Sequence, residues 1–241
     1  MTTRIGLIIP SSNRMVEQEM ARYFPPGTQA HIARLRMTGP HHVALDQLLP
    51  RIEETARTLT DAKCDVVVFH CTATSMEEGI DGEERVLAAV RRAGAKAIST
   101  ATAIRRALEA LGARRIVLVT PYSARTTEHE AQFLREAGYQ VVHAVGHDLG
   151  GSDAYCAATP EFWRERMIEA KRPEADVYFL SCANTAGFGV IETIERQLDR
   201  PLITSNQAVL WDALWQLGRN GKGFCPGRLF DRSPAAARVP A

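Results

Sequence analysis

The sequence predicts an α/β protein of two pseudo-symmetric domains with parallel sheets and a site in the cleft between them. Two observations carry that expectation. Strand-sized apolar runs alternate with amphipathic helical segments, the pattern of a parallel sheet covered by helices on both faces. The halves also repeat at a fixed spacing: Cys71 and Cys182 are 111 residues apart, and so are Pro10 and Pro121. In each half a strand leads into a Pro-led polar loop, and a later strand ends on a cysteine. A duplicated α/β unit can bring equivalent strand ends together across a pseudo-twofold axis, which would set the two thiols face to face.

The elements follow in order. Residues 4–9 form a buried strand, and Pro10-Ser-Ser-Asn13 turns into a helix near Met15–Tyr23. Pro25-Pro26-Gly27 ends that helix before a strand at 29–35. Leu45–Ala62 is amphipathic and helical, with a break or kink expected at Pro50. A strand at 65–70 ends at Cys71; a helix at Glu83–Ala93, a short strand at 96–98 and a helix at Ala101–Leu111 follow. The second half repeats the order: strand 115–119, helix Thr127–Ala137, strand 140–144 and a polar loop His147–Asp153. Helix 160–170, strand 176–180, helix 189–197, strand 201–203 and helix 207–218 complete it. Both halves close a helix with Ala-Leu-x-x-Leu-Gly, at Gly112 and at Gly218. Each half is therefore Rossmann-like. The tail from Arg219 is rich in Gly, Pro, Arg and Ala, and its last eight residues are expected to be mobile.

Composition removes several classes of function. The 29 Lys and Arg nearly balance 28 Asp and Glu, for a formal charge of +1, so the basic field of a nucleic-acid binder is missing. The longest apolar runs fall far short of the ~20 residues that span a bilayer. No signal-peptide layout opens the chain, and a cytoplasmic protein is expected. No Gly-x-Gly-x-x-Gly follows the first strand, and no P-loop or Gly-x-Ser-x-Gly elbow is present. The five cysteines form no Cys-x-x-Cys pair, and the seven histidines are scattered, with His41-His42 in a loop read as solvated. No metal and no cofactor are expected.

The chemistry-bearing residues lie where the strands end. The loops at that carboxyl edge, where open α/β sheets bind ligands, carry recurring hydroxyls: Ser11, Ser12, Thr72, Thr74, Ser75, Ser99, Thr100, Tyr122, Ser123, Thr204 and Ser205. A single Ser there is an ordinary helix cap. Hydroxyls repeated across most of the loops form a carboxylate cradle with the free N–H groups of helix starts. Cys64, Cys156 and Cys225 read as small buried hydrophobes. Cys71 and Cys182 stand apart through their matched positions. A cysteine just before a helix N-terminus tends towards thiolate, so a lowered pKa is expected, first for Cys71.

Pro10-Ser-Ser-Asn13, His70-Cys71-Thr72-Ala-Thr-Ser75 and Ser181-Cys182-Ala-Asn184 resemble the aspartate/glutamate racemase superfamily, and within it the maleate cis-trans isomerase and arylmalonate decarboxylase branch. The likeness covers nearly the whole chain, and Gly227-Arg-Leu-Phe-Asp231 is similar to the decarboxylase end. The resemblance implies a cofactor-free enzyme acting on a small-molecule carboxylate, with homo-oligomerisation open. Isomerases of the branch carry both cysteines; its decarboxylases keep the second and have glycine at the position of Cys71. It implies Cys71 as nucleophile and Cys182 as acid and base. The substrate would be held by Asn13 and Tyr122, helped by Ser11, Ser12, Thr72, Ala73, Ser123, Ser152, Ala183 and Asn184. It also implies crossed chain ends: residues 1–98 with 208–241 as one domain and 99–207 as the other. The expected activity is isomerisation of a small dicarboxylate. The alternatives are a racemase or decarboxylase working through an enediolate, and a non-catalytic carboxylate-binding protein. Three positions depart from the pattern: Arg14, the Gly150-Gly-Ser152 loop, and Ala183, which lacks a hydroxyl. Arg14 and Arg125 also share the 111-residue spacing, which would suit either a bound anion or a solvated surface.

Overall fold

The computed structural model describes residues 2–37 and 43–234. His41, His42 and residues 235–241 of the tail lie outside the described residues. The first half runs β1 (Thr3–Pro10), α1 (Val16–Tyr23), β2 (Thr28–Leu35), α2 (Leu45–Asp61), β3 (Val66–Phe69), α3 (Thr72–Met76), α4 (Gly79–Arg92), β4 (Ala97–Ser99) and α5 (Thr100–Ala110). The second runs β5 (Arg115–Thr120), α6 (Ala124–Glu136), β6 (Gln140–Gly146), α7 (Ser152–Ala157), α8 (Pro160–Glu169), β7 (Val177–Leu180), α9 (Ile191–Leu198), β8 (Leu202–Thr204) and α10 (Ser205–Gln216). Short 3₁₀ turns cover Phe188–Val190 and Arg228–Asp231.

The strands form two all-parallel sheets of order β2-β1-β3-β4 and β6-β5-β7-β8. The central strands β3 and β7 are buried along their whole length, as parallel strands covered on both faces must be. The repeat is also one of register: Ile5 pairs with Val66 and Ile116 with Val177. It extends to the strand entries, where Asp65 N–H donates to Arg4 O and Asp176 N–H to Arg115 O, both at 2.8 Å. In each sheet the chain leaves β1 or β5 towards one side and returns on the other. The switch points therefore lie between β1 and β3 and between β5 and β7, where such sheets bind ligands. Pro10 and Cys71 sit at one of them, Pro121 and Cys182 at the other.

The period-2 alternation of the first sheet divides its core. Ile8, Val67 and Phe69 face outwards onto Leu48, Ile52 and Leu59 of α2 and Val86 and Val90 of α4. Ile5, Leu7, Val66, Val68 and Ile98 face inwards and join one apolar cluster that continues into the second half. α5 and α10 lie in that cluster and pack against each other. Their caps repeat as well: Ser99 Oγ accepts from Thr102 N–H at 2.9 Å, and Thr204 Oγ1 from Gln207 N–H at 3.1 Å.

Three expectations about elements are corrected. α2 runs unbroken through Pro50. Its ring deprives the carbonyl four residues back, that of Asp46, and Asp46 is exposed, so water can replace the missing donor. α4 starts at Gly79 rather than Glu83. The polar loop after β6 gives way to α7 at Ser152.

The α5–α10 contact carries a charged pair, Arg106 Nη1 to Asp212 Oδ2 at 2.9 Å, with Asp212 fully buried. Burial pushes the Asp212 carboxyl up, against the pull of Arg106. Arg106→Ala leaves that carboxylate unpaired and should cost roughly 1–3 kcal/mol at neutral pH. The cost falls below that of a fully buried pair because Arg106 is 40% exposed. A carboxyl raised above its unfolded pKa loses stability as it ionises. The difference between variant and parent should therefore shrink as pH falls and Asp212 takes up a proton. Urea unfolding at neutral and mildly acidic pH measures both values.

Candidate active site

At the end of β1, Asn13 N–H donates to Pro10 O at 3.0 Å, which closes a tight turn. The Asn13 side chain is buried and stitches two regions together. Its Oδ1 accepts from Met15 N–H and Val16 N–H, both at 3.0 Å, which fixes the start of α1. Its Nδ2 donates to Ala183 O in the other half at 3.0 Å. An amide carries two N–H donors, so one remains for a ligand. Next to it, Arg14 N–H donates to Asn184 Oδ1 at 2.9 Å.

At the end of β3, Cys71 occupies the N-cap of α3 with an ordinary extended φ of −144°. Its thiol donates to Thr74 Oγ1 at 3.3 Å. Cys182, its counterpart, is different: its φ is +106°, a region that only glycine enters freely. Such a backbone costs on the order of 1–3 kcal/mol and must be held by its surroundings. Ser205 Oγ accepts from Cys182 N–H at 3.2 Å, and Thr185 Oγ1 donates to Cys182 O at 2.9 Å. Asn184 N–H donates to the Cys182 sulfur at 3.3 Å. The same Ser205 hydroxyl accepts from Thr72 Oγ1 at 2.9 Å, so one side chain ties both cysteine loops.

Tyr122 follows β5, and the chain leaving β6 is laced to it. His147 N–H donates to Thr120 O, Asp148 N–H to Tyr122 O and Leu149 N–H to Pro121 O, at 2.9–3.0 Å. Gly146 permits that approach, since a Cβ there would lie 2.4 Å from Tyr122 O. The lacing leads into α7, where Ser152 Oγ donates to Ser12 Oγ at 2.9 Å and Tyr155 meets Tyr122 edge-on at 5.6 Å between ring centres.

Together these loops enclose a cavity of about 50 Å³ between the halves, with Cys71 and Cys182 both in its wall. At about 10–15 Å³ per water, that is room for roughly four waters, the scale of a small organic acid. Of the residues singled out in the sequence, Ser12, Asn13, Thr72, Ala73, Tyr122, Ser152, Ala183 and Asn184 line it, together with Pro10, Met37 and Tyr155. Ser11 and Ser123 stay outside the wall. The Ser11 hydroxyl turns to Met37 O at 3.1 Å, and Ser123 Oγ caps α6 by accepting from Thr126 N–H. Arg14 also stays out of the wall and pairs with Asp153 at 2.6 Å, while Arg125 is exposed. Cys156, read as a plain hydrophobe, donates to Asn184 Oδ1 at 3.0 Å. Among the described residues no group of His, Cys, Asp or Glu could hold a metal ion, and no helix is long and apolar enough to cross a membrane.

The expected acidity of Cys71 is overturned. Burial pushes its thiol up, although the Thr74 hydroxyl and N–H oppose the shift. Burial pushes Cys182 up to about 12, against the Tyr122 hydroxyl and Asn184 N–H. The balance follows from magnitudes. A helix terminus is worth about 0.3–1 kcal/mol, less than the ~1.4 kcal/mol of a tenfold change in acidity, whereas full burial, the state of Cys182, outweighs it several-fold; Cys71 is partly buried and shifts in the same direction. α3 has one short turn to set against that. Both thiols are therefore neutral at neutral pH.

This fold and cavity define a class: pseudo-symmetric two-sheet α/β proteins in which each half supplies one cysteine to a shared small-molecule site. The chain belongs to the arylmalonate decarboxylase family, whose model matches residues 5–230. It is similar to the arylmalonate decarboxylase of Bordetella bronchiseptica, 30% identical over 241 residues, with 96% of this chain and 98% of that protein covered. It is 27% identical to the maleate isomerase of Geobacillus stearothermophilus, covering 92% of this chain and 94% of that one. Among solved structures it matches a Nocardia farcinica maleate cis-trans isomerase, a cysteine-to-serine mutant with a covalently bound succinylcysteine intermediate. That match has a TM-score of 0.86 at 25% identity and covers 95% of this chain and 98% of that chain. Family and relatives make the protein an enzyme of the isomerase or lyase kind.

The backbone asymmetry of the two cysteines gives a test. Cys182→Gly should be more stable than Cys182→Ala by about 1 kcal/mol, because glycine relieves the positive φ. Cys71→Gly should instead be less stable than Cys71→Ala, because its φ is ordinary. Chemical denaturation of the four variants measures the two differences, and their opposite signs are the expected result.

Proposed function

We propose that the protein is a cofactor-independent isomerase of a small dicarboxylate, a maleate cis-trans isomerase-like enzyme that uses Cys71 and Cys182. The observation that carries this reading is the presence of one cysteine from each half in the wall of a single small cavity. The second donor of the Asn13 amide and the Tyr122 hydroxyl supply carboxylate partners beside them. Thr72 and the backbone at Ala183 and Asn184 add to the cradle. The same reading takes residues 1–98 with 208–241 as one domain and 99–207 as the other. Bonds from Arg219 to Thr3 and to the carbonyls of Gly27 and Pro26 support that crossing. A cytoplasmic enzyme without nucleic-acid or membrane partners fits the net charge of +1.

The chemistry balances with neutral thiols. The Cys71 sulfur adds to one alkene carbon of a cis-enedioate and forms a C–S bond. The π electrons move to the neighbouring carbon, where the adjoining carboxylate delocalises them. Cys182 delivers its proton to that carbon, and the proton displaced from Cys71 restores Cys182. The former double bond is now single and rotates. Elimination reverses the transfers: Cys182 gives its proton to the departing Cys71 sulfur and takes the one on carbon, the C–S bond breaks, and the trans-enedioate leaves. The pair holds the same two protons at the start and the end.

Cys71→Ala and Cys182→Ala should each lower turnover by several orders of magnitude. Each should cost only ~1–2 kcal/mol of stability, since little is trimmed. Proton NMR of maleate and related diacids in deuterated buffer reports isomerisation, exchange and loss of carbon dioxide together. Near-normal turnover of the true substrate by either variant would contradict the two-thiol mechanism. A decarboxylase is the second reading, favoured by the relative from Bordetella bronchiseptica. It requires Cys182 alone, so release of carbon dioxide from a substituted malonate that survives Cys71→Ala would select it.

A further inference from the structure

Two buried carboxyl groups stand behind the cavity and take no part in the chemistry above. Glu19 on α1 and Glu130 on α6 are 111 residues apart, the spacing of the cysteines themselves. Glu19 is well supplied: Oε1 accepts from Phe188 N–H at 3.0 Å, and Oε2 accepts from the Asn206 amide. Asn206 Oδ1 in turn meets His70 Nε2 at 2.9 Å, and His70 precedes Cys71. Glu130 backs the other cysteine. Its Oε2 lies 2.6 Å from Ser181 Oγ, and Ser181 precedes Cys182. It is 1% exposed, no cation pairs with it among the described residues, and Oε1 has no hydrogen-bond partner.

That geometry selects a protonation state. A buried carboxylate with one oxygen lacking a donor and no cation nearby is the costly form. A neutral acid keeps the Ser181 Oγ bond to Oε2 and leaves an uncharged hydroxyl, not a charge, unpaired at Oε1. We propose that Glu130 is a positioning residue that stands as a neutral acid against Ser181, behind Cys182, and keeps negative charge out of the cavity so that the thiols can ionise in turn. The proposal rests on the two-thiol reading above. A charge on Glu130 would act on Cys71, Cys182 and Tyr122, raising all three.

Burial pushes the Glu130 carboxyl up to about 8, opposed only by Ser181. Other titratable groups on the elements packed around α6 are engaged elsewhere. Glu83 of α4 accepts from Ser99 and Thr102 and meets Arg105 at 3.6 Å, and His143 of β6 faces Arg172 at 3.1 Å. His129 and Glu136 of α6 and Glu77 line a separate surface cavity. As pH rises through about 8, Glu130 loses its proton and its charge makes both thiols harder to ionise. Activity should fall over that range.

The test uses Glu130→Gln, a neutral group of the same shape. The ratio of turnover at about pH 9 to that at about pH 7 should rise about tenfold, since an acid of pKa near 8 is only about a tenth protonated one unit above it. An unchanged ratio, or a uniform loss at every pH, overturns the proposal. Should Glu130→Gln fail to fold, Ser181→Ala removes the one group that lowers the Glu130 pKa and should shift the alkaline limb to higher pH; no shift overturns the proposal. A readout independent of substrate is the infrared band of a protonated carboxylic acid in the ligand-free parent, titrating with a midpoint near 8. Its absence at neutral pH overturns the proposal whatever the enzyme's substrate proves to be. Its presence beside a failed two-thiol test leaves the neutral acid standing and assigns the fault to the proposed function.

Discussion

The contact between α5 and α10 across the pseudo-twofold axis is the constraint on which the rest of the molecule depends. Ala101, Ala103, Ile104, Ala107 and Leu108 on one helix, and Ala208, Val209, Leu210, Ala213 and Leu214 on the other, belong to one continuous core. The alanines among them let the helices approach, and the two halves share that core. Both helices begin at the carboxyl edge, so packing them together brings the two strand-end loops together. Ser205, the first residue of α10, then reaches Thr72 of one half and the Cys182 backbone of the other. The site is thus a consequence of core packing, and the Arg106–Asp212 pair joins the same two helices.

Within a symmetric frame the chemistry needs two different cysteines, and the differences are local. Cys71 has relaxed backbone and a hydroxyl acceptor in Thr74. Cys182 sits at a positive φ under three hydrogen bonds to its backbone and sulfur, which fixes the direction of its thiol. The residues before them diverge as well: His70 is held neutral by burial, with a pKa near 4, and joins a polar chain to Glu19, whereas Ser181 meets Glu130 alone. A nucleophile must move on and off carbon, while an acid–base group must point at one place, and the backbone tension falls on the second.

Much of the fold was legible because duplication leaves a spacing that survives substitution. The 111-residue interval located β1, β3, β5, β7 and both cysteines, and parallel strands announce themselves as apolar runs. α3 and α7 were missed because helices of five or six residues lie below the length at which a sequence nucleates its own helix. Asn13, Thr72, Tyr122, Ala183 and Asn184 were readable as strand-end residues. Ser11 and Ser123 occupy the same loops, and only the path of the backbone decides that they turn away. Met37 and Tyr155 reach the cavity through tertiary packing, which no local pattern encodes. The thiol pKa values depend on how much water burial removes, a quantity that spacing cannot give. Glu19 and Glu130 share the interval and could have been found by applying it to every charged residue.

The central claim is that Cys71 forms a bond to carbon while Cys182 handles the proton. The most direct measurement is mass spectrometry of Cys182→Ser protein incubated with maleate and digested under conditions that preserve thioethers. The account predicts an adduct with the mass of one maleate on the peptide containing Cys71, absent from Cys71→Ala protein treated in the same way. An adduct on Cys64, Cys156 or Cys225 in place of Cys71, or rapid turnover with Cys71 unmodified at every time point, would contradict it.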